Sequence, residues 1–482
     1  MNALRLVFRL LWWTLLLLLA ALALLLAAWL PFNFQDVAPK ARPAELQLPA
    51  TRVPDERNAA YAVVGLLAEE GRDASAAGRA VWAAHRSWSA LPPGPRASAA
   101  AGHAASVNGA MGKTLSAPKG APLNCDGQRA TCDADWLAAG EALARQRAGY
   151  GAIGERCDKL VEGPFEFEEL LPAGRDVGAP VMSWTPMSDC SRWFRSGAMA
   201  ALARGQREEA LAQLRRADRL HRQLWEGSRT LIGQMVVTRL ARNTYNSMAA
   251  VAMREPALAE AMAPWLAAPV DTRAGARRWM VFEANFQRGV VDEFGPAVGA
   301  ALAMSDSPLA PLGAGPGGEA LAWLGNNGIG FHAERTRQRI DGTWLRKLGT
   351  LQYEWPAVLA GAAVEHQAQR QLGTWGRVKW RNTFGEALID AAEISYDGYF
   401  ARHADHELHR EATMLVLALQ RQRVAPAQRA QAARKLPGVS NLLKERMTWS
   451  ADGNALTVRT WQSETPGAGF SARRDAIAFT WP

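Results

Sequence analysis

The stretch "SGAMAALARGQREEALAQLRRADRLHRQLW", Ser196 to Trp225, reads as two helices joined at Arg204-Gly205-Gln206. A second stretch, "YAVVGLLAEEGRDASAAGRAVWAAHRSW" from Tyr61 to Trp88, reads the same way around Glu70-Gly71-Arg72. Small and apolar residues fall at matched positions: Gly65, Ala77, Val81 and Ala84 in one, Ala198, Ala210, Leu214 and Ala217 in the other. Each set steps by 12, then 4, then 3. Small residues at those offsets let two antiparallel helices approach closely, while the apolar one fills the groove between them.

This spacing resembles the tetratricopeptide helical hairpin, over these two units alone. The resemblance implies a stacked helical surface that binds peptides or partner proteins. Alanine-rich runs with few β-branched residues extend the helical expectation along most of the chain. Helices are expected within 133–160, 230–255, 255–268 and 271–294, again through 319–340 and 350–372, and as one long helix over about 383–422. The last forty residues differ. "ERMTWSADGNALTVRTWQ" holds two short β-type runs around Asp452-Gly453, and "AIAFTW" offers a third strand. The fold class expected is therefore mainly α, with an N-terminal transmembrane helix, a body of α-hairpins and a small C-terminal antiparallel sheet.

The start of the chain, "MNALRLVFRLLWWTLLLLLAALALLLAAWLPFNF", has an uninterrupted apolar run from Leu10 to Leu30. A helix of that length spans about 31 Å, which matches a hydrocarbon core. Trp12 and Trp13 at one end, and Trp29, Phe32 and Phe34 at the other, suit the two interfaces. A cleaved signal peptide has a shorter apolar core followed by small residues, whereas this run exits through bulky "WLPFNF". An uncleaved anchor is expected, with Arg5 and Arg9 holding the N-terminus in the cytoplasm and the bulk of the chain periplasmic, on a bacterial inner membrane. The formal charge of +9 includes those two arginines. No dense Lys/Arg block is interleaved with aromatics, so a nucleic-acid partner is not expected. The expected partners are the inner membrane, through the N-terminal helix, and an envelope protein; oligomeric state is left open. The expected organisation is an anchor over 1–34, a Pro-rich tether over 35–54, and a helical domain over 55–304. A Gly/Pro-rich linker over 305–318, a second helical region over 319–440 and a small β unit over 441–482 complete it.

Four cysteines, Cys125, Cys132, Cys157 and Cys190, occupy one quarter of the chain. An even number in an exported chain predicts two disulfides, Cys125 with Cys132 across a short loop and Cys157 with Cys190, although three connectivities are formally possible. A zinc site is the alternative, but no Cys-x-x-Cys spacing supports it.

Candidates for chemistry are few. "GAGPGG" places glycines at 313, 315 and 318 in the order of a dinucleotide loop, but no strand precedes it and Pro316 removes an amide. No cofactor is expected. Glu162, Glu166, Glu168 and Glu169 form an acidic segment, read as solvated or meeting the protein's own arginines. His85, His103, His221, His332 and His366 are isolated along the chain. "RHADHELHRE", Arg402 to Glu411, holds three histidines three residues apart. Projected on a helix at about 100° per residue, Ala401, Ala404, Leu408, Ala412, Leu415 and Leu419 make a buried stripe, and His403, His406 and His409 lie off it. The expected reading is a solvated face supported by i, i+4 pairs, His403 with Glu407 and Asp405 with His409. The alternative is a metal or enzyme site using His403, His406, Glu407 and His409. Of nineteen tryptophans, many sit at helical spacing from other apolar residues and are expected in the core, with carbohydrate-stacking surfaces the alternative for some. The functional expectation is protein interaction or scaffolding in the envelope, more than catalysis.

Overall fold

Both hairpins read from the sequence fold as such in the structure, a computed structural model. It describes residues 2–33, 36–91, 93–123, 132–163, 166–171, 180–294, 331–361, 382, 385–386, 389, 396–463 and 476–481. The segment 305–318 with its glycines, residues 319–330 and 362–372 of the helices expected over 319–340 and 350–372, most of 383–395 in the long helix expected over 383–422, Cys125 and His366 lie outside these residues. The chain is mainly helical. α1 (Asn2–Asn33) is followed by α2 (Ala60–Val64), α3 (Ala74–Ser89), α4 (Pro93–Met111), α5 (Cys132–Ala148) and α6 (Ala152–Glu162). Next come α7 (Thr185–Ala203), α8 (Arg207–Gly227), α9 (Leu231–Arg254), α10 (Leu258–Ala267) and α11 (Thr272–Phe294). After these stand α12 (Ala333–Thr350), α13 (Asp397–Arg421), α14 (Pro426–Lys435) and α15 (Asn441–Arg446), then β1 (Met447–Trp449), β2 (Ala455–Arg459) and β3 (Ala476–Thr480).

Small residues bring the helices of both hairpins close together. In the α2–α3 hairpin a Cβ on Gly78 would stand 1.8 Å from the Tyr61 carbonyl oxygen, and one on Gly65 would stand 2.0 Å from that of Ala74. Only hydrogen fits between these backbones. In the α7–α8 hairpin Ala198, Ala210, Leu214 and Ala217 are all buried, and Gly205 turns the chain with φ of +74°. Cys157 on α6 and Cys190 on α7 are joined by a disulfide. Cys132 is disulfide-bonded as well. The C-terminal sheet is antiparallel in the order β1-β2-β3, with Leu456 opposite Phe479 and Val458 opposite Ile477. Alternation sends these four side chains inward, where they are buried.

Three apolar cores are visible. One fills the body from α2 to α10. A second gathers Trp279 of α11, Trp344 of α12, and Tyr396 and Phe400 at the start of α13. The third joins Leu408, Ala412, Leu415 and Leu419 of α13 to the sheet. Since Leu417 belongs to the first core, α13 contributes to all of them. The second core unites residues on both sides of 305–318.

The Pro-rich stretch expected as a tether over 35–54 is laid along the body as a strap, residues 36–58. Asp36 accepts hydrogen bonds from the backbone amides of Glu334 (2.8 Å) and Arg335 (3.0 Å), capping α12 from a distant part of the chain. The Ala38 carbonyl accepts from Gln338 (2.9 Å). Leu46 is fully buried in the second core, and its carbonyl accepts from Asn285 (3.0 Å). Arg229 donates to the Pro49 carbonyl (2.7 Å). The amides of Arg52 and Val53 donate to Glu168 Oε2 (2.7 and 2.9 Å). A segment poor in internal hydrogen bonds must place its backbone groups on water or on the body, and this one uses the body.

Candidate functional site

Glu168 and Glu169 show how the acidic segment folds. Glu168 is buried, takes the two strap amides on one oxygen and Arg229 Nη1 (3.0 Å) on the other. Glu169 accepts from the amides of Arg229 (2.7 Å) and Thr230 (2.8 Å) at the start of α9, and from the Thr230 hydroxyl (2.5 Å). Burial nevertheless raises its pKa. Glu166 pairs with Arg57 (2.8 Å) and Glu162 with Arg216 (2.8 Å). The four carboxylates thus meet the protein's own arginines and amides, and Glu168 and Glu169 are interior rather than solvated.

The histidine face of α13 overturns its sequence reading. The alanine-leucine stripe is buried as expected, but His403, His406 and His409 are buried too, at 0%, 3% and 2% exposure. α13 is covered on both sides: the stripe meets the sheet, and the opposite face meets aromatic side chains of α8, α9 and α11. His403 lies nearly parallel to Trp279 (6.4 Å, 8°) and Trp355 (5.8 Å, 7°), with Trp225 perpendicular to it (5.5 Å). Its Nε2 accepts from Trp279 Nε1 (3.0 Å). An indole N–H can only donate, so that nitrogen keeps its lone pair and the ring is neutral. Burial, helped by the Arg278 charge, pushes the His403 pKa down to about 3.

His406 stacks on Trp225 (4.5 Å, 24°) and lies beside Tyr245 (5.5 Å). His409 also touches the Tyr245 ring (5.9 Å) and shares a hydrogen bond with Asn246 Oδ1 (2.8 Å). From α8, His221 meets Tyr245 edge-on (5.5 Å), its Nδ1 on the Ala217 carbonyl (3.2 Å). Burial pushes His221 down to about 4, and holds His406 and His409 well below the ordinary imidazole range. Both ring nitrogens of His406, Nε2 of His221 and the Tyr245 hydroxyl have no hydrogen-bond partner in the protein.

The expected i, i+4 acid–histidine pairs do not form. Glu407 instead accepts from the Thr272 hydroxyl and from Trp355 Nε1 (3.1 Å). Asp405 accepts from the amides of Trp461 (2.6 Å) and Gln462 (3.1 Å), tying α13 to the chain after β2. Burial raises the Asp405 pKa to about 7. His403, His406, Glu407 and His409 stand along one helix, and no three of the His, Cys, Asp and Glu side chains converge as a ligand set among the described residues.

Compared with known proteins, the chain matches no family model, no curated protein and no solved structure. The site is therefore read from its own chemistry. Sequence reasoning missed His221, Tyr245, Trp225, Trp279 and Trp355 as neighbours of the histidine face. The available signal was the surplus of tryptophan, four of which (Trp136, Trp225, Trp279 and Trp344) are fully buried. A second pair read as isolated is also in contact: His85 Nδ1 and His103 Nε2 lie 2.8 Å apart across the α3–α4 hairpin, with Trp88 stacked on His103.

Proposed function

We propose that this chain is a single-pass protein of the bacterial envelope whose helical body lies on the non-cytoplasmic side and serves protein interaction or scaffolding. One observation carries the reading. A helix long and apolar enough to cross a membrane, Phe8–Trp29, feeds directly into a strap that is bonded along the body. Asp36, the first docked residue, stands three positions after the end of α1 at Asn33. The Cys157–Cys190 disulfide supports an oxidising compartment, and Arg5 and Arg9 before the apolar run support a cytoplasmic N-terminus. The polar groups of the interior hold helices together, which suits a body whose work is done on its surface.

A reporter that is active only outside the cytoplasm, fused after Pro482, is expected to be active; silence contradicts the orientation. Cross-linking of the full chain in native membranes is expected to trap one recurrent envelope protein, and its absence contradicts the scaffolding role. A second reading, an envelope enzyme or metal binder at His403, His406, Glu407 and His409, is favoured by one feature: the unpartnered ring nitrogens of His406 beside Tyr245. Stoichiometric zinc or copper in the purified full chain, lost in His406→Phe, supports that reading; metal-free protein supports the first.

A further inference from the structure

We infer that the strap-bearing face of the body is a lipid-binding surface, lying against the headgroups of the membrane that holds α1; this rests on the anchor reading above. Chain length comes first. Only Phe34 and Gln35 separate Asn33 from Asp36, and three residue steps reach no more than about 11 Å. Asp36 is therefore held within that distance of the anchor's end, and the start of α12 is bonded to its carboxylate.

Apolar exposure comes second. Outside α1, four large hydrophobic residues are exposed among those described: Leu48, Val181, Ile232 and Tyr353. Three of them stand one to three residues from groups that meet where the strap crosses the start of α9. Leu48 precedes Pro49, whose carbonyl is bonded to Arg229. Ile232 follows Leu231, which shares the second core with Leu46 of the strap. Val181 stands three residues before Trp184, whose indole lies so near Gly233 that a Cβ there would be 2.6 Å from it. Leu46 closes a short 3-10 turn (Ala44–Leu46) and is buried, and Leu48, two residues beyond the turn, is exposed. Lys40, Arg52 and Arg57 are exposed on the same strap, but so are Asp36, Glu45, Asp55 and Glu56. Apolar exposure rather than net charge therefore seats this surface in the lipid interface, at a depth of about 5–10 Å. A soluble partner would have to enter beneath a body held by so short a link, so lipid is the occupant that the chain length favours.

The test uses the full chain in vesicles of phosphatidylethanolamine and phosphatidylglycerol. No described cysteine is free, so a single introduced thiol (Leu48→Cys, Val181→Cys, Ile232→Cys or Tyr353→Cys) takes a polarity-sensitive fluorophore. Labels at 48, 181 and 232 are expected to shift to the blue and lose most of their emission to lipids carrying a shallow nitroxide, less to a deep one. The label at 353 should stay bright. If the protein floats with the vesicles but the first three labels remain as bright as the fourth, the lipid surface is refuted while the anchor stands. A protein that does not float refutes the anchor, and the inference with it. Labels at 48, 181 and 232 shielded in native membranes but bright in pure vesicles assign the face to a protein partner and overturn the proposal.

Discussion

Two polar stretches of this chain end in contrasting circumstances. The strap, residues 36–58, lies at the surface, yet its first carboxylate and several of its backbone groups are bonded to the body: Asp36 on α12, the Pro49 carbonyl on Arg229, and the Arg52 and Val53 amides on Glu168. The histidine face of α13 is fully buried, yet His406 has neither ring nitrogen bonded to protein. A buried polar group is close to neutral when paired and costs about 1–3 kcal/mol when it is not. The strap is therefore the adhesive region, and the histidine face the place where stability is given up. Removing a group from each should have opposite consequences.

The largest expected effect is in the strap clamp. Glu168→Ala leaves the buried Arg229 guanidinium without its counter-charge and frees two strap amides. A loss of about 3–5 kcal/mol is expected, read from the denaturant midpoint; a loss under 1 kcal/mol would break the contrast. Acid comes next. His406 has a folded-state pKa well below its unfolded value, so the unfolded state takes up protons first and stability falls as pH drops below about 6.5. Asp405, raised to about 7, works in the opposite sense over roughly pH 7 to 4, but it is common to parent and variant. His406→Phe should therefore match or exceed the parent at pH 7 and gain on it by up to about 1.4 kcal/mol per pH unit below 6.5. Parallel stability profiles would remove the histidine from the argument.

Within the same face, His403→Phe should behave differently from His406→Phe. It strands the Trp279 indole N–H, and a loss of about 1–3 kcal/mol at neutral pH is expected by chemical denaturation. Equal effects at the two positions would show that the unpartnered nitrogens are immaterial. Smallest is the far end of the strap. Asp36→Ala removes the cap on α12 and should cost about 1 kcal/mol, with faster amide exchange at Glu334 and Arg335. Unchanged exchange there would mean that the cap is idle.

Much of the fold was legible because it is local. The 12-4-3 spacing marked both hairpins, the Asp452-Gly453 turn marked the β1–β2 hairpin, and the stripe from Ala401 to Leu419 marked the apolar side of α13 correctly. The rest depended on partners that sequence spacing does not reveal. Periodicity separates two faces of a helix but cannot say that both are covered, so His403, His406 and His409 read as wet. Their real neighbours, Trp279, Trp225 and Asn246, lie on other helices more than 120 residues away. The strap was hidden for the same reason: Asp36 meets residues 298 and 299 positions along the chain, and a Pro-rich composition looks alike whether free or docked.

The central claim is that residues 36–58 are bound to the body and hold it close to the membrane anchor. Hydrogen exchange of the full chain in membranes tests it most directly, at the amides of Arg52 and Val53. Both donate to the buried Glu168 carboxylate, so slow exchange is expected, becoming fast in Glu168→Ala while the amides of α9 stay protected. Exchange at the rate of a free peptide in the parent protein would contradict the claim.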